Sequence, residues 1–265
     1  MLALSFVLTI IVAYLLGSLN FSIIIVKAVA KFDIREKGSG NAGSTNVLRT
    51  VGAKTAIITL LLDFSKAIAA SGFTILFFYL CVKQGYRSDL TTYGLCVSSL
   101  FCVLGHMFPV FFKFKGGKGV ATYAGSLMLL HPIIVVIALA CFAVIVIITK
   151  KASLGSMLSC IAYLIGYIVY TAIFKLFNVH FAIEFSLSAL TAIIVILKHR
   201  KNIVRLVKGE ESSVKIKSKS IPKDDLISKN DAAVIDEKNP KSEHEHNENH
   251  TTDKADIDDN DSFNS

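Results

Sequence analysis

The chain has 265 residues, is 53% hydrophobic, and carries a formal net charge of +8 with a mean hydropathy of +0.58. The charge is unevenly spread: residues 1–210 hold 20 Lys/Arg against 6 Asp/Glu, a net +14, while residues 211–265 hold 8 against 14, a net −6. An apolar body with basic residues between its greasy runs is the pattern of a membrane protein, and it argues against a nucleic-acid-binding domain, which would gather its basic residues into one stripe.

About 20 apolar residues cross a bilayer, and the runs in chain order are Leu2–Val26, Ala56–Val82, Tyr93–Phe112, 119–131, 133–149, Leu154–Phe177 and Phe181–Leu197. The first lacks a basic leader and outruns a signal-peptide core, so it reads as a retained span. The fourth and fifth form one thirty-residue stretch, Val120–Thr149. It is divided at His131-Pro132, because proline cannot continue the helix hydrogen-bond ladder and pushes the residue before it out of helix. The fourth span is then short, about 20 Å of helix. Basic residues decide between counts. With seven spans and the N-terminus outside, segments 27–54, 113–118, 150–151 and 198–210 face the cytoplasm and hold 16 Lys/Arg, against Lys83, Arg87 and Lys175 outside. The expected fold is therefore an all-α integral membrane protein of seven transmembrane helices, N-out and C-in, over residues 1–210. Residues 211–265 lack apolar periodicity and are expected to form a disordered acidic, polar cytoplasmic tail. His244, His246 and His250 fall in that low-complexity segment and read as solvated rather than metal-binding.

Three polar clusters fall on the predicted cytoplasmic side. GSGNAGSTNVLR, residues 38–49, combines three glycines with small hydrogen-bonding side chains and Arg49. Glycine lets backbone amides approach an anion, and arginine clamps phosphate through two parallel bonds. FKFKGGKGVAT, residues 112–122, sets a glycine turn and Lys118 before a helix N-terminus, whose free N–H groups favour anions. KHRKNIVRLVKGEE, residues 198–211, spaces His199, Asn202 and Arg205 by three, which puts them on one helix face. KKASLGS, residues 150–156, is a smaller fourth piece. Any one cluster is explained by topology and lipid headgroups; three together indicate a site for anions. Asp63 and Lys66, one turn apart inside the second span, either neutralise each other or form a functional pair.

Some chemistries are missing. The six carboxylates of residues 1–210 are scattered, which speaks against a magnesium-dependent phosphotransferase. There is no Walker A spacing, no GxSxG elbow and no His-x4-Asp acyltransferase motif. The five cysteines form no CxxC pair and read as small buried hydrophobes.

SGNAGSTNVLR (39–49), FKGGKGVAT (114–122) and HRKNIVRLVKGEE (199–211), with LLDFSK and GHMFPVFFKF between them, resemble the signature motifs of the bacterial PlsY family over about residues 5–211. That resemblance implies a membrane glycerol-3-phosphate acyltransferase of phospholipid synthesis. It implies transfer of an acyl group from acyl phosphate to the 1-hydroxyl of glycerol 3-phosphate, giving lysophosphatidate and phosphate, at a cytoplasmic site in the bacterial cell membrane. It also implies no metal or other cofactor, no acyl-enzyme and no direct use of acyl-CoA or acyl carrier protein. The partners implied are the two substrates, the bilayer and the soluble enzyme that makes acyl phosphate. By position, Lys118, His199 and Asn202 would form the catalytic group. Ser39, Asn41, Thr45, Asn46, Arg49, Gly116, Gly117, Gly119, Ser153, Ser156 and Arg205 would bind substrate. Ala42 stands where proline is common, Ser44 where alanine is common, and Lys150 and Lys151 where arginine is frequent. A transporter of a phosphorylated solute is the competing reading; it would place its polar helix breaks near the bilayer midplane, often in repeated halves.

Overall fold

The computed structural model describes residues 1–214, and everything below concerns those residues. The expectations for the tail beyond 214, including its histidines, lie outside them. The described chain is helical, with no strand: α1 (Leu2–Ser18), α2 (Phe21–Ala30), α3 (Ser44–Thr50), α4 (Ala53–Val82), α5 (Asp89–Met107), α6 (Val120–Leu127), α7 (Pro132–Thr149), α8 (Ala152–Ile173), α9 (Val179–Lys198) and α10 (Arg200–Val207), with short 3₁₀ turns at Ile34–Glu36 and Val110–Phe112.

Burial is arranged for lipid rather than water. Large apolar side chains such as Val7, Ile133, Ile148 and Val169 point outward, while Thr9, Ser22, Ser71, Thr74, Ser98 and Ser126 are buried. In a bilayer there is no hydrophobic drive between helices, so small and hydroxyl-bearing residues collect where helices touch and apolar ones face the tails. The crossing of α1 and α5 illustrates this. A Cβ on Gly105 would collide with the Tyr14 carbonyl oxygen, and one on Gly17 with the Cys102 carbonyl oxygen. Gly105→Val is therefore expected to force the two backbones apart and to cost about 2 kcal/mol or more. A thermal melt of the detergent-solubilised protein checks this.

Six segments are long and apolar enough to cross a membrane: Leu2–Ala30, Ala53–Val82, Asp89–Phe112, Pro132–Thr149, Ala152–Ile173 and Val179–Lys198. Six of the seven expected spans meet that length and composition. The fourth predicted span, 119–131, is only the eight-residue α6 followed by a turn. Eight residues rise about 12 Å, less than half the hydrocarbon thickness. His131 and Pro132 do break the run as expected, with Pro132 opening α7 at a position where its missing N–H costs nothing. The first predicted span also differs. It is two helices parted at Leu19-Asn20, where Asn20 caps α2 by accepting from the Ile23 N–H.

α1, α4, α5 and α6 pack on one another, α7 and α8 form a hairpin, and α9 lies against α5 and α8. A buried ionic cluster locks the first group. Lys66 Nζ on α4 donates to the Gly17 and Leu19 carbonyls at 2.9 and 2.6 Å, exactly where α1 and α2 part. It also lies 2.8 Å from Asp63 Oδ1 and 3.1 Å from His106 Nδ1 on α5. Lysine has three protons to place and no water in the bilayer to take them. The freed carbonyls of a helix break are natural partners.

Candidate active site

The segment before α3 is shaped by its own side chains. Asn46, buried, donates from Nδ2 to the carbonyls of Ile34 and Lys37 at 3.1 and 3.0 Å and accepts at Oδ1 from the Ser39 N–H at 2.9 Å. Gly38 and Gly40 take the positive φ values, 61° and 71°, that the tight loop needs. Arg35 ties this loop to the next motif: its guanidinium is paired with Asp33 and donates to the carbonyls of Phe112 and Lys115 at 2.8 and 3.0 Å. The loop's Ser39, Asn41, Ser44, Thr45 and Arg49 then line a cavity of about 460 Å³.

The second motif reaches the same cavity differently from expectation. The Gly116 and Gly117 N–H groups are already engaged, with the Met107 carbonyl at 3.2 Å and the His106 carbonyl at 3.1 Å, and neither residue lines the cavity. Their role is close packing: a Cβ on Gly116 would strike the His106 carbonyl, and one on Gly117 the His106 ring and the Ala42 carbonyl. The expectation that their amides cradle an anion is thus corrected. What the glycine turn delivers is Lys118, whose Nζ donates to Asn202 Oδ1, and Gly119, which enters α6 at φ 82° and does line the cavity.

The third motif closes the site through its last residue, Glu211, which the expected domain boundary puts with the tail. Glu211 is buried at 4% exposure. Its Oε1 accepts from Ser153 Oγ at 2.6 Å and Asn202 Nδ2 at 2.7 Å, and its Oε2 from Arg205 Nε at 2.8 Å. Lys151 Nζ donates to its carbonyl, Arg49 Nη2 to the Ser212 carbonyl at 2.8 Å, and the Val214 N–H to the Lys150 carbonyl at 2.8 Å. Glu211–Val214 thus make contact with residues of the helical body rather than standing apart from it. The charged hydrogen bonds outweigh the cost of taking a carboxylate from water, a balance that polar composition does not reveal.

Electrostatics follow from this packing. Burial pushes the Lys118 ammonium down to about 8, with Glu211 opposing and Arg205 and Arg49 adding to the fall. Burial likewise holds Arg49 below the ordinary arginine value, and its Nε is buried without a hydrogen-bond partner among the described residues. Burial and nearby Lys118 push His199 down to about 4, so it is neutral at physiological pH. Its Nδ1 lies 2.8 Å from the Val195 carbonyl. A carbonyl can only accept, so Nδ1 carries the proton and Nε2 keeps a lone pair. For Glu211, burial acts to raise the pKa, but the bonds from Ser153, Arg205 and Asn202 hold it below the usual carboxylate value.

Of the expected residues, Ser39, Asn41, Thr45, Asn46, Arg49, Lys118, Gly119, Ser153, Ser156, His199 and Asn202 meet around one cavity. Asn46 has its amide engaged by the loop, Ser156 Oγ donates to its own helix at Ala152, and Arg205 turns to Glu211 outside the cavity lining. Asp63 and His106, not assigned to the site beforehand, also line it; LLDFSK and GHMF were the visible signals. The inner half of the cavity is apolar, walled by Leu60 and Phe64 of α4, Tyr123 and Leu127 of α6, Val135 and Leu139 of α7, and Tyr163 of α8. Among the described residues no group of three or more His, Cys, Asp or Glu is placed to hold a metal ion.

Fold and site together define an integral membrane protein with a cationic cavity at one end of its helix bundle and an apolar continuation within it. Residues 7–209 match the glycerol-3-phosphate acyltransferase family. The glycerol-3-phosphate acyltransferase of Finegoldia magna is 41% identical over 204 residues, 77% of this chain and 93% of that one. Its Staphylococcus carnosus counterpart is 39% identical over 212 residues, 79% and 98% of the two chains. The crystal structure of PlsY (YgiH), an integral membrane glycerol 3-phosphate acyltransferase, in its glycerol 3-phosphate form superposes with a TM-score of 0.67 at 32% identity, over 80% of this chain and 96% of that one. The chain belongs to the glycerol-3-phosphate acyltransferase family, that of PlsY.

Proposed function

We propose that the protein transfers an acyl group from acyl phosphate to the 1-hydroxyl of glycerol 3-phosphate at the cytoplasmic face of a bacterial cell membrane. The observation that carries this is a single cavity with Arg49 and Lys118 at its polar end and a mainly apolar inner half formed by residues of α4, α6, α7 and α8. A soluble phosphate and a lipid-borne acyl phosphate fit its two halves. The cytoplasmic placement rests on the excess of Lys/Arg in the segments that form the site.

The chemistry needs little covalent help. Acyl phosphate is a mixed anhydride with a good leaving group, so the main tasks are to hold two anions together and aim one hydroxyl. Arg49 and Lys118 offset the repulsion between the phosphates. Glu211 fixes the Asn202 amide so that its oxygen faces Lys118, leaving the other Nζ protons for phosphate. His199, held by Val195, offers Nε2 as an acceptor to the glycerol hydroxyl. With its pKa depressed to about 4, it orients that hydroxyl better than it stores its proton. The hydroxyl oxygen attacks the acyl carbon, the acyl C–O bond to phosphate breaks, and the proton passes to a phosphate oxygen. No acyl-enzyme forms.

Purified protein given palmitoyl phosphate and glycerol 3-phosphate should make lysophosphatidate without added metal; folded protein that makes none overturns the proposal. The pH profile has a stated sign. Lys118 is protonated below about 8, so kcat/KM for glycerol 3-phosphate should hold below that pH and fall about tenfold per unit above it as the ammonium is lost. In Lys118→Arg the fall should move beyond the measured range, because guanidinium keeps its proton.

A further inference from the structure

The apolar half of the cavity is bounded on three helices. Along α8 the lining runs Ser153, Ser156, Ser159, Cys160 and Tyr163, and Tyr167, one turn on, is outside it. Along α7, which runs the opposite way, it extends from Phe142 to Val135 and stops before His131. On α6 it stops at Leu127. At 1.5 Å per residue these stretches run about 15, 10 and 12 Å along their helices, the first counted from Ser153 at the polar end. Immediately beyond lies a polar-aromatic plug. Tyr163 OH pairs with His131 Nδ1 at 2.9 Å, and the His131 and Tyr167 rings pack tilted at 38° with centroids 4.3 Å apart. Tyr167 OH donates to Glu184 Oε2 at 2.7 Å, and Tyr123 packs edge-on against Tyr163 at 5.8 Å. Every ring is held by a partner, so this end of the groove is a rigid wall rather than loose side chains that a ligand can push aside.

We propose that Tyr163, held by His131, is the floor of the acyl groove and sets the length of acyl chain the enzyme prefers. This rests on the reading above that the donor is acyl phosphate. A carbon zigzag with bonds of about 1.5 Å fits at most about a dozen carbons, the carbonyl included, into the roughly 15 Å from Ser153 to Tyr163. A longer chain must meet the tyrosine or bend out between α4 and α7, where Leu61 and Leu139 face lipid. The groove is closed by a side chain, not by backbone, so a single substitution lengthens it.

The test measures kcat/KM with lauroyl, palmitoyl and stearoyl phosphate at saturating glycerol 3-phosphate. Tyr163→Ala should raise the stearoyl-to-lauroyl ratio by about tenfold, as expected when a few methylenes gain or lose a place to lie. Val135→Phe fills the groove from the facing helix and should lower the palmitoyl-to-lauroyl ratio. If Tyr163→Ala is not recovered folded, Val135→Phe alone decides. A native enzyme indifferent to chain length, with the chain leaving sideways between α4 and α7, overturns the floor, as does either folded variant keeping the native ratio. A native enzyme that turns over none of the three acyl phosphates instead overturns the donor reading, so the two failures are distinct.

Discussion

Lys118→Ala is expected to lower kcat/KM by a factor of about a hundred to a thousand while leaving the protein folded. Lys118 stands at the mouth of α6, its amine bonded to Asn202 and buried enough that its proton is held only to about pH 8. A half-dehydrated cation attracts phosphate more strongly than one in water, because the local dielectric is low and its solvation is already lost. Its removal costs little stability, since the Lys118–Asn202 bond links two polar groups that water can reach from the cavity. The loss should appear in kcat as well as KM, because charge on the departing phosphate grows as the acyl C–O bond breaks. Steady-state kinetics together with a thermal melt check it. Full activity would remove Lys118 from the site.

Glu211→Ala should act through structure. One buried carboxylate accepts from Ser153, Asn202 and Arg205, thereby joining α8, α10 and the segment after α10. Without it three donors lose their partner, at a cost of about 2–4 kcal/mol, and Asn202 loses the bond that aims its oxygen at Lys118. We expect a lower melting temperature and a hundredfold or greater loss of activity. Glu211→Gln, which keeps one acceptor oxygen, should recover part of the stability and less of the activity. Melting curves of both variants beside their turnover separate this from a direct catalytic role, for which Gln would restore stability in full and activity not at all.

The glycine-rich clusters were legible because their chemistry is local. GSGNAGSTNVLR needs positive φ at Gly38 and Gly40, small polar groups and an arginine, and each shows in the letters. Which group does what was less legible. Asn46 and Asn41 look alike in sequence, yet only Asn46 is buried where three backbone groups need a partner. Gly116 and Gly117 look like an anion cradle, yet their N–H groups are engaged by α5 and their missing Cβ atoms make room for His106. Such assignments depend on how the chain turns back on itself, bringing Asn46 to Ile34 and Lys37, Gly116 and Gly117 to the end of α5 and Gly117 to Ala42, which periodicity cannot register.

The sequence by itself determined the membrane class, the positions of the long apolar helices, the break at His131-Pro132 and the three motifs, because hydropathy, proline and glycine act over a few residues. Only the tertiary structure decided that the short fourth segment is no more than an eight-residue helix, that the Glu211 carboxylate is buried against Ser153, Asn202 and Arg205, and that Asp63, Lys66 and His106 form one cluster. Those outcomes are set by packing and by the demand that every buried donor and acceptor find a partner, and the partner is close in space while distant in the chain.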